Sequence, residues 1–95
     1  MNGLIYIVQQ PDLFNTNIYK IGRTTRSMRE RLTGYVKGTK VFFEIFVNDV
    51  VKVESDIKNK LYKKMKRKLG FEYFELELDK LKALIISVIN NEEPR

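Results

Sequence analysis

Leu4-Ile5-Tyr6-Ile7-Val8, followed by Ile18-Tyr19-Lys20-Ile21, is the stretch on which the fold turns. The first run is β-branched, aromatic and apolar, the composition of a largely buried strand. The second repeats that character over fewer residues, and Gly22 ends it. Pro11, Asp12, Asn15 and Asn17 lie between the two and mark a loop. The pair therefore reads as a β-hairpin with a long connection.

Working outward, Ser27 and Glu30 have the spacing of a capping box, in which each side chain satisfies an orphan amide at a helix start. A helix is expected from about Met28 to Val36, with Met28, Leu32, Tyr35 and Val36 on one face and Gly34 and Gly38 weakening and then stopping it. Val41 to Val47 reads as a third strand, closed by Asn48 and Asp49, either of which suits a helix cap. The next helix is expected from Val50 to Leu69, with Val50, Ile57, Leu61 and Met65 on one stripe and lysines opposite. Gly70 breaks it, Phe71 to Leu76 reads as a fourth strand, and Leu78, Leu81, Leu84, Ile85, Val88 and Ile89 define a last amphipathic helix before a frayed tail from Asn91. The expected class is α+β, a small, largely antiparallel sheet of three to four strands flanked by three helices in the order β-β-α-β-α-β-α. A chain of 95 residues with no repeat or linker is expected to form one domain.

Composition removes whole classes of chemistry. With no cysteine and no histidine, disulfides, thiolate zinc sites, Ser-His-Asp and Cys-His catalysis and histidine-ligated metals are all excluded. Any reaction must use Tyr, Lys, Arg, Asp, Glu or an oxygen-ligated metal. The net charge of +6 favours an anionic partner. That charge is unevenly spread: residues 18–40 carry +6, residues 52–68 another +6, and the remainder −6. Lys58, Lys63, Lys64, Arg67 and Lys68 belong to the second block and are candidates for nucleic-acid contact, against the plainer reading of a solvated helix face. The apolar runs are far shorter than the ~18 residues of a membrane span, and no signal peptide precedes them, so a cytoplasmic protein without membrane association is expected.

Four residues break the pattern. Glu54 falls between Val50 and Ile57 on the apolar stripe, where an ionised carboxylate needs a cation, a metal or hydrogen bonds; an acid in the first turns of a helix is also favoured by the macrodipole. Arg31 borders the apolar side of the first helix, placed either to line a cleft with a fork suited to phosphate or to snorkel. Tyr6 and Tyr19 lie in the two hairpin strands, where tyrosines are commonly core residues with satisfied hydroxyls.

Order and spacing change that reading. Gly3-Leu4-Ile5-Tyr6-Ile7, Tyr19-Lys20-Ile21-Gly22-Arg23-Thr24, Arg31-Leu32-Thr33-Gly34-Tyr35 and Val53-Glu54 together resemble the GIY-YIG nuclease superfamily, in particular phage and viral variants whose second motif reads Tyr-Lys-Ile-Gly-x-Thr. The resemblance implies a DNA endonuclease in which Tyr6 and Tyr19 fall on the two motif tyrosines, one of them the general base. Arg31 falls on the arginine that stabilises the transition state, and Glu54 on the carboxylate that binds one Mg2+ (or Mn2+). It implies products with 5′-phosphate and 3′-hydroxyl ends. Supporting roles fall to Lys20, Arg23, Arg29, Tyr35 and Glu72.

The chain departs from the pattern in several places. One extra residue separates glycine and tyrosine in the first motif and another lies inside the second, which makes Arg29 an alternative to Arg31. Glu72 stands where many members carry asparagine, and Tyr62 where the variant group often carries histidine. Family members usually borrow a separate DNA-recognition domain, so the resemblance leaves open a lone domain that cuts DNA structures or nonspecific DNA, and a homo-oligomer or partner protein that supplies target recognition. The competing readings are a non-catalytic nucleic-acid-binding module of the same fold and a protein-interaction domain with a basic helix.

Overall fold

The computed structural model describes residues 1–64 and 72–92. Strand β1 (Gly3–Gln9) leads through a 3₁₀ turn at Pro11–Leu13 into β2 (Ile18–Thr24), then α1 (Met28–Leu32), β3 (Lys40–Val47), α2 (Val50–Lys64), β4 (Tyr73–Glu75) and α3 (Leu78–Glu92). The strands form one antiparallel sheet in the order β3-β1-β2-β4, so the α+β expectation and the element order hold. Among the described residues no helix is long and apolar enough to cross a membrane.

The hairpin forms because β1 sits at the centre of the sheet and its apolar run meets neighbours on both sides. Tyr6 pairs with Gly22 on β2 and Glu44 on β3. Gln9, which sequence patterning passed over, closes the long connection: its buried side-chain amide donates to the carbonyls of Thr16 and Ile18 at 3.1 and 3.0 Å.

Side chains alternate across a sheet, so each strand supplies two layers. Ile5, Ile7, Tyr19 and Ile21 point to the back, where α2 contributes Val53, Ile57 and Leu61 and α3 contributes Leu81, Ile85 and Val88. This is the main core. Tyr6 and Val8 point to the front and meet Met28, with Leu4, Leu32, Tyr35 and Val41 around them. A register shift between Ile7 and Val8 inserts one residue into β3, so that Phe42 and Phe43 both pack on the back layer while Val41 joins the front.

Several expected boundaries move. β2 does not end at Gly22 but continues to Thr24. The first helix stops at Leu32 instead of Val36, because the chain tightens into successive turns: Thr33, Gly34 and Tyr35 amides donate to the carbonyls three residues earlier, and the Thr33 hydroxyl donates to the Glu30 carbonyl at 2.7 Å. Those turns send Tyr35 inward and leave Val36 exposed, so Val36 does not share the apolar face. Gly38 then takes φ of 93°, a conformation that favours glycine. The fourth strand is described as three residues, shorter than expected, and α3 runs through Asn91 to Glu92, past the expected fraying point. The expected end of the second helix, with Met65, Leu69 and Gly70, and Phe71 of the fourth strand lie outside the described residues.

Candidate active site

The front layer carries a polar cluster. Tyr6 of β1 is almost wholly buried, and its hydroxyl lies 2.8 Å from that of Tyr35, with the two rings edge to face at 85°. Room for the Tyr6 phenol comes from Gly22: a Cβ there would overlap the Tyr6 hydroxyl and ring, so the glycine of the second motif is required by the tyrosine of the first. The Arg31 guanidinium lies over Tyr35, its central carbon 4.6 Å from that ring centroid and 5.9 Å from that of Tyr6. Lys20 approaches from β2, its ammonium 4.8 Å from the Tyr35 centroid and 5.9 Å from that of Tyr73. Two cations thus face three phenols, with Tyr35 shared between them, an arrangement favoured by the negative ring faces.

From Lys20 a line of alternating charges runs to α2. The Lys20 ammonium is 3.2 Å from one oxygen of Glu72, Lys58 lies 3.5 Å from the other, Lys58 is also 3.5 Å from Glu54, and Arg23 is 3.7 Å from the remaining Glu54 oxygen. The Glu54 and Lys58 side chains are each only 13% exposed, so the inward direction read for Glu54 holds. Its partners are the two cations rather than the helix end alone.

Electrostatics differ along this line. Burial pushes the Tyr6 phenol well above the ordinary tyrosine range, helped by the Tyr35 hydroxyl and opposed by Arg31 and Lys20. Tyr35 is also raised by burial, against the hydrogen bond to Tyr6 and the Arg31 charge. At Glu72 burial favours the neutral acid, but the hydrogen bond and charge of Lys20 together with Lys58 outweigh it and hold the carboxyl below its usual range.

The expected residues separate into two groups. Tyr6, Arg31, Tyr35, Lys20 and Glu72 come together, and Glu54 and Arg23 join them through Lys58. Tyr19 does not join them. It lies three residues before Gly22, an odd offset in a strand of period two, so its ring faces the back core and packs edge to face on Phe42 at 5.5 Å. The extra residue in the second motif moves Lys20 onto the Tyr6 face instead. Arg29 is exposed and reaches none of these groups, which leaves Arg31 as the arginine of the cluster.

Lys58, expected as a nucleic-acid contact or else a solvated cation on the lysine face, is a largely buried bridge between two carboxylates. The signal was present, since Lys58 follows Glu54 at the i,i+4 spacing and shares its side of the helix. Tyr73, beside Lys20, had no such signal. The side chains of Lys63 and Lys64, and all of Arg67 and Lys68, lie outside the described residues.

Comparison with curated proteins and with solved structures finds no match. Comparison with protein families finds one: the model of the T5orf172 domain matches residues 3–89.

Proposed function

Because the chain belongs to the T5orf172 domain family, which is associated with endonuclease-like proteins, we propose that it is a divalent-metal-dependent endonuclease hydrolysing DNA phosphodiester bonds by GIY-YIG chemistry. The observation that carries this reading is the convergence of Tyr6, Tyr35, Arg31 and Lys20 on one sheet face, with Glu54 tied to them by ion pairs.

Mg2+ or Mn2+ fits a donor set poor in carboxylates. No three carboxylates converge among the described residues, so the ion would be held by few carboxylates and mostly by water, which is the habit of Mg2+. Glu54 suits that role because its contacts to Arg23 and Lys58, at 3.7 and 3.5 Å, are longer than the ~2.7–2.9 Å of a tight charge-assisted hydrogen bond. Its lone pairs are therefore accessible. When bound, the ion supplies positive charge to the phosphate and to the departing 3′ oxygen.

The chain's own residues do the rest. Arg31, held over the Tyr35 ring, presents N–H groups to the non-bridging phosphate oxygens, where charge grows in the transition state. Tyr6 accepts a proton from the attacking water while passing its own hydroxyl proton to Tyr35, 2.8 Å away and less buried, and so to solvent. The relay avoids a free phenolate, which the buried position disfavours. Lys20 adds a second cation on the same side, with Glu72 fixing its direction.

Incubation of supercoiled plasmid with the purified protein in Mg2+ tests the reading. Nicking is expected, with loss on chelation of the metal and in Glu54→Ala at unchanged fold. Undiminished nicking by Glu54→Ala removes the metal assignment. A second reading has one observation in its favour: Glu54 already holds two cations, as in a nucleic-acid-binding module that needs no metal. Tight DNA binding unaffected by Mg2+ or Mn2+, with no cleavage, would select it.

A further inference from the structure

Next to the polar cluster lies a cavity of about 430 Å³ whose walls include Arg23, Thr24, Thr25, Arg26, Glu30 and Arg31. We propose that this cavity seats a phosphodiester group of the nucleic-acid strand, adjoining the phosphate that reaches Tyr6; the inference rests on the DNA reading above and adds a position to it.

Three guanidiniums line one concave space, and they are differently engaged. Arg31 is stacked on Tyr35 and Arg23 is drawn toward Glu54, so each serves both the cavity and the cluster. Arg26 is exposed and makes no ion pair among the described residues. Its backbone amide donates to the Thr24 hydroxyl at 3.0 Å, which fixes the turn that carries it. The single acid on the wall, Glu30, accepts from the Ser27 hydroxyl at 3.3 Å and is held at the helix cap. Among the side chains of the wall, which Met1 also lines, the remaining unengaged charge is the Arg26 fork, a group shaped for two phosphate oxygens. Shared walls at Arg23 and Arg31 make cavity and cluster neighbours along one path, as consecutive phosphates of a strand require.

The test compares Arg26→Gln with Arg29→Gln, an equal loss of charge on a residue that does not line the cavity. Binding of a short labelled duplex is measured without divalent metal over a series of salt concentrations. Arg26→Gln is expected to make the negative slope of log K against log salt shallower by about 0.9, the value for one lost phosphate contact, and Arg29→Gln to leave it near that of the unaltered chain. Equal slopes for the two variants overturn the inference even if plasmid nicking proceeds. If the unaltered chain binds without ever nicking, the nuclease reading fails while a shallower Arg26→Gln slope still supports the cavity. Absence of any DNA binding overturns both. Saturable binding of inorganic phosphate that Arg26→Gln abolishes, with the duplex neither displaced by that phosphate nor weakened by the substitution, would assign the cavity to free phosphate and overturn the strand position.

Discussion

Tyr6 and Tyr19 show how one residue of register decides a role. Tyr6→Phe is expected to lower cleavage by about 10²–10⁴-fold, the range of a positioned proton-transfer group, and Tyr19→Phe to leave it within a few-fold, because that hydroxyl lies on the other face. Equal losses in a nicking assay would return Tyr19 to the site. Arg31→Ala is likewise expected to cost far more activity than Arg29→Ala, and the reverse ranking would move the site by half a helix turn. Gly22→Ala drives a methyl group into the Tyr6 phenol and is expected to destabilise by about 1–3 kcal/mol in urea denaturation, as overpacking does. Tyr6 also predicts an alkaline effect. Its proton is held more tightly in the folded chain than in the unfolded one, so its stabilising contribution is complete below about pH 10 and is lost as the pH rises toward the folded value. Denaturation midpoints from about pH 9 to about pH 11.5 should therefore fall less steeply in Tyr6→Phe than in the unaltered chain.

At the scale of elements, α2 is the part that joins packing to chemistry. Its start is capped by Asp49, whose carboxylate accepts from the Lys52 amide at 3.2 Å, while the Asp49 carbonyl accepts from Val53. Asp49→Ala is expected to cost about 1 kcal/mol and Asn48→Ala much less, a difference that thermal unfolding resolves. Sequence patterning offered both residues, because two adjacent cap formers look alike until the backbone shows where the first helical turn closes. The strands and the back faces of α2 and α3 were legible for a plain reason: Ile5, Ile7, Ile57, Leu61, Leu81 and Ile85 repeat at the periods of strand and helix. The first helix was legible only at its start. Ser27 and Glu30 announce a cap by type and spacing, whereas its end depends on turns closed by Thr33 and Gly34 that periodicity does not register. Within the site, Glu54 and Arg31 stood out as charges at apolar edges, but the exclusion of Tyr19 required the register with Gly22.

Across the whole molecule, the sheet separates a thick hydrophobic back from a thin front that bears most of the polar cluster, and the charges of the site pass from one to the other as Lys20, Glu72, Lys58, Glu54 and Arg23. In such a string each inner member is shared between two opposite neighbours. Deleting one leaves its neighbours free to tighten on what remains: in Glu72→Gln, Lys58 has only Glu54 to hold. Substitutions along the string should therefore show strong epistasis, so that the cost of Lys58→Met measured alone differs from its cost in a Glu72→Gln background, a coupling that a double-mutant cycle reads directly. An evolutionary path that rebuilds this site would then depend on the order of its steps, with some replacements tolerated only after a neighbouring one has already occurred.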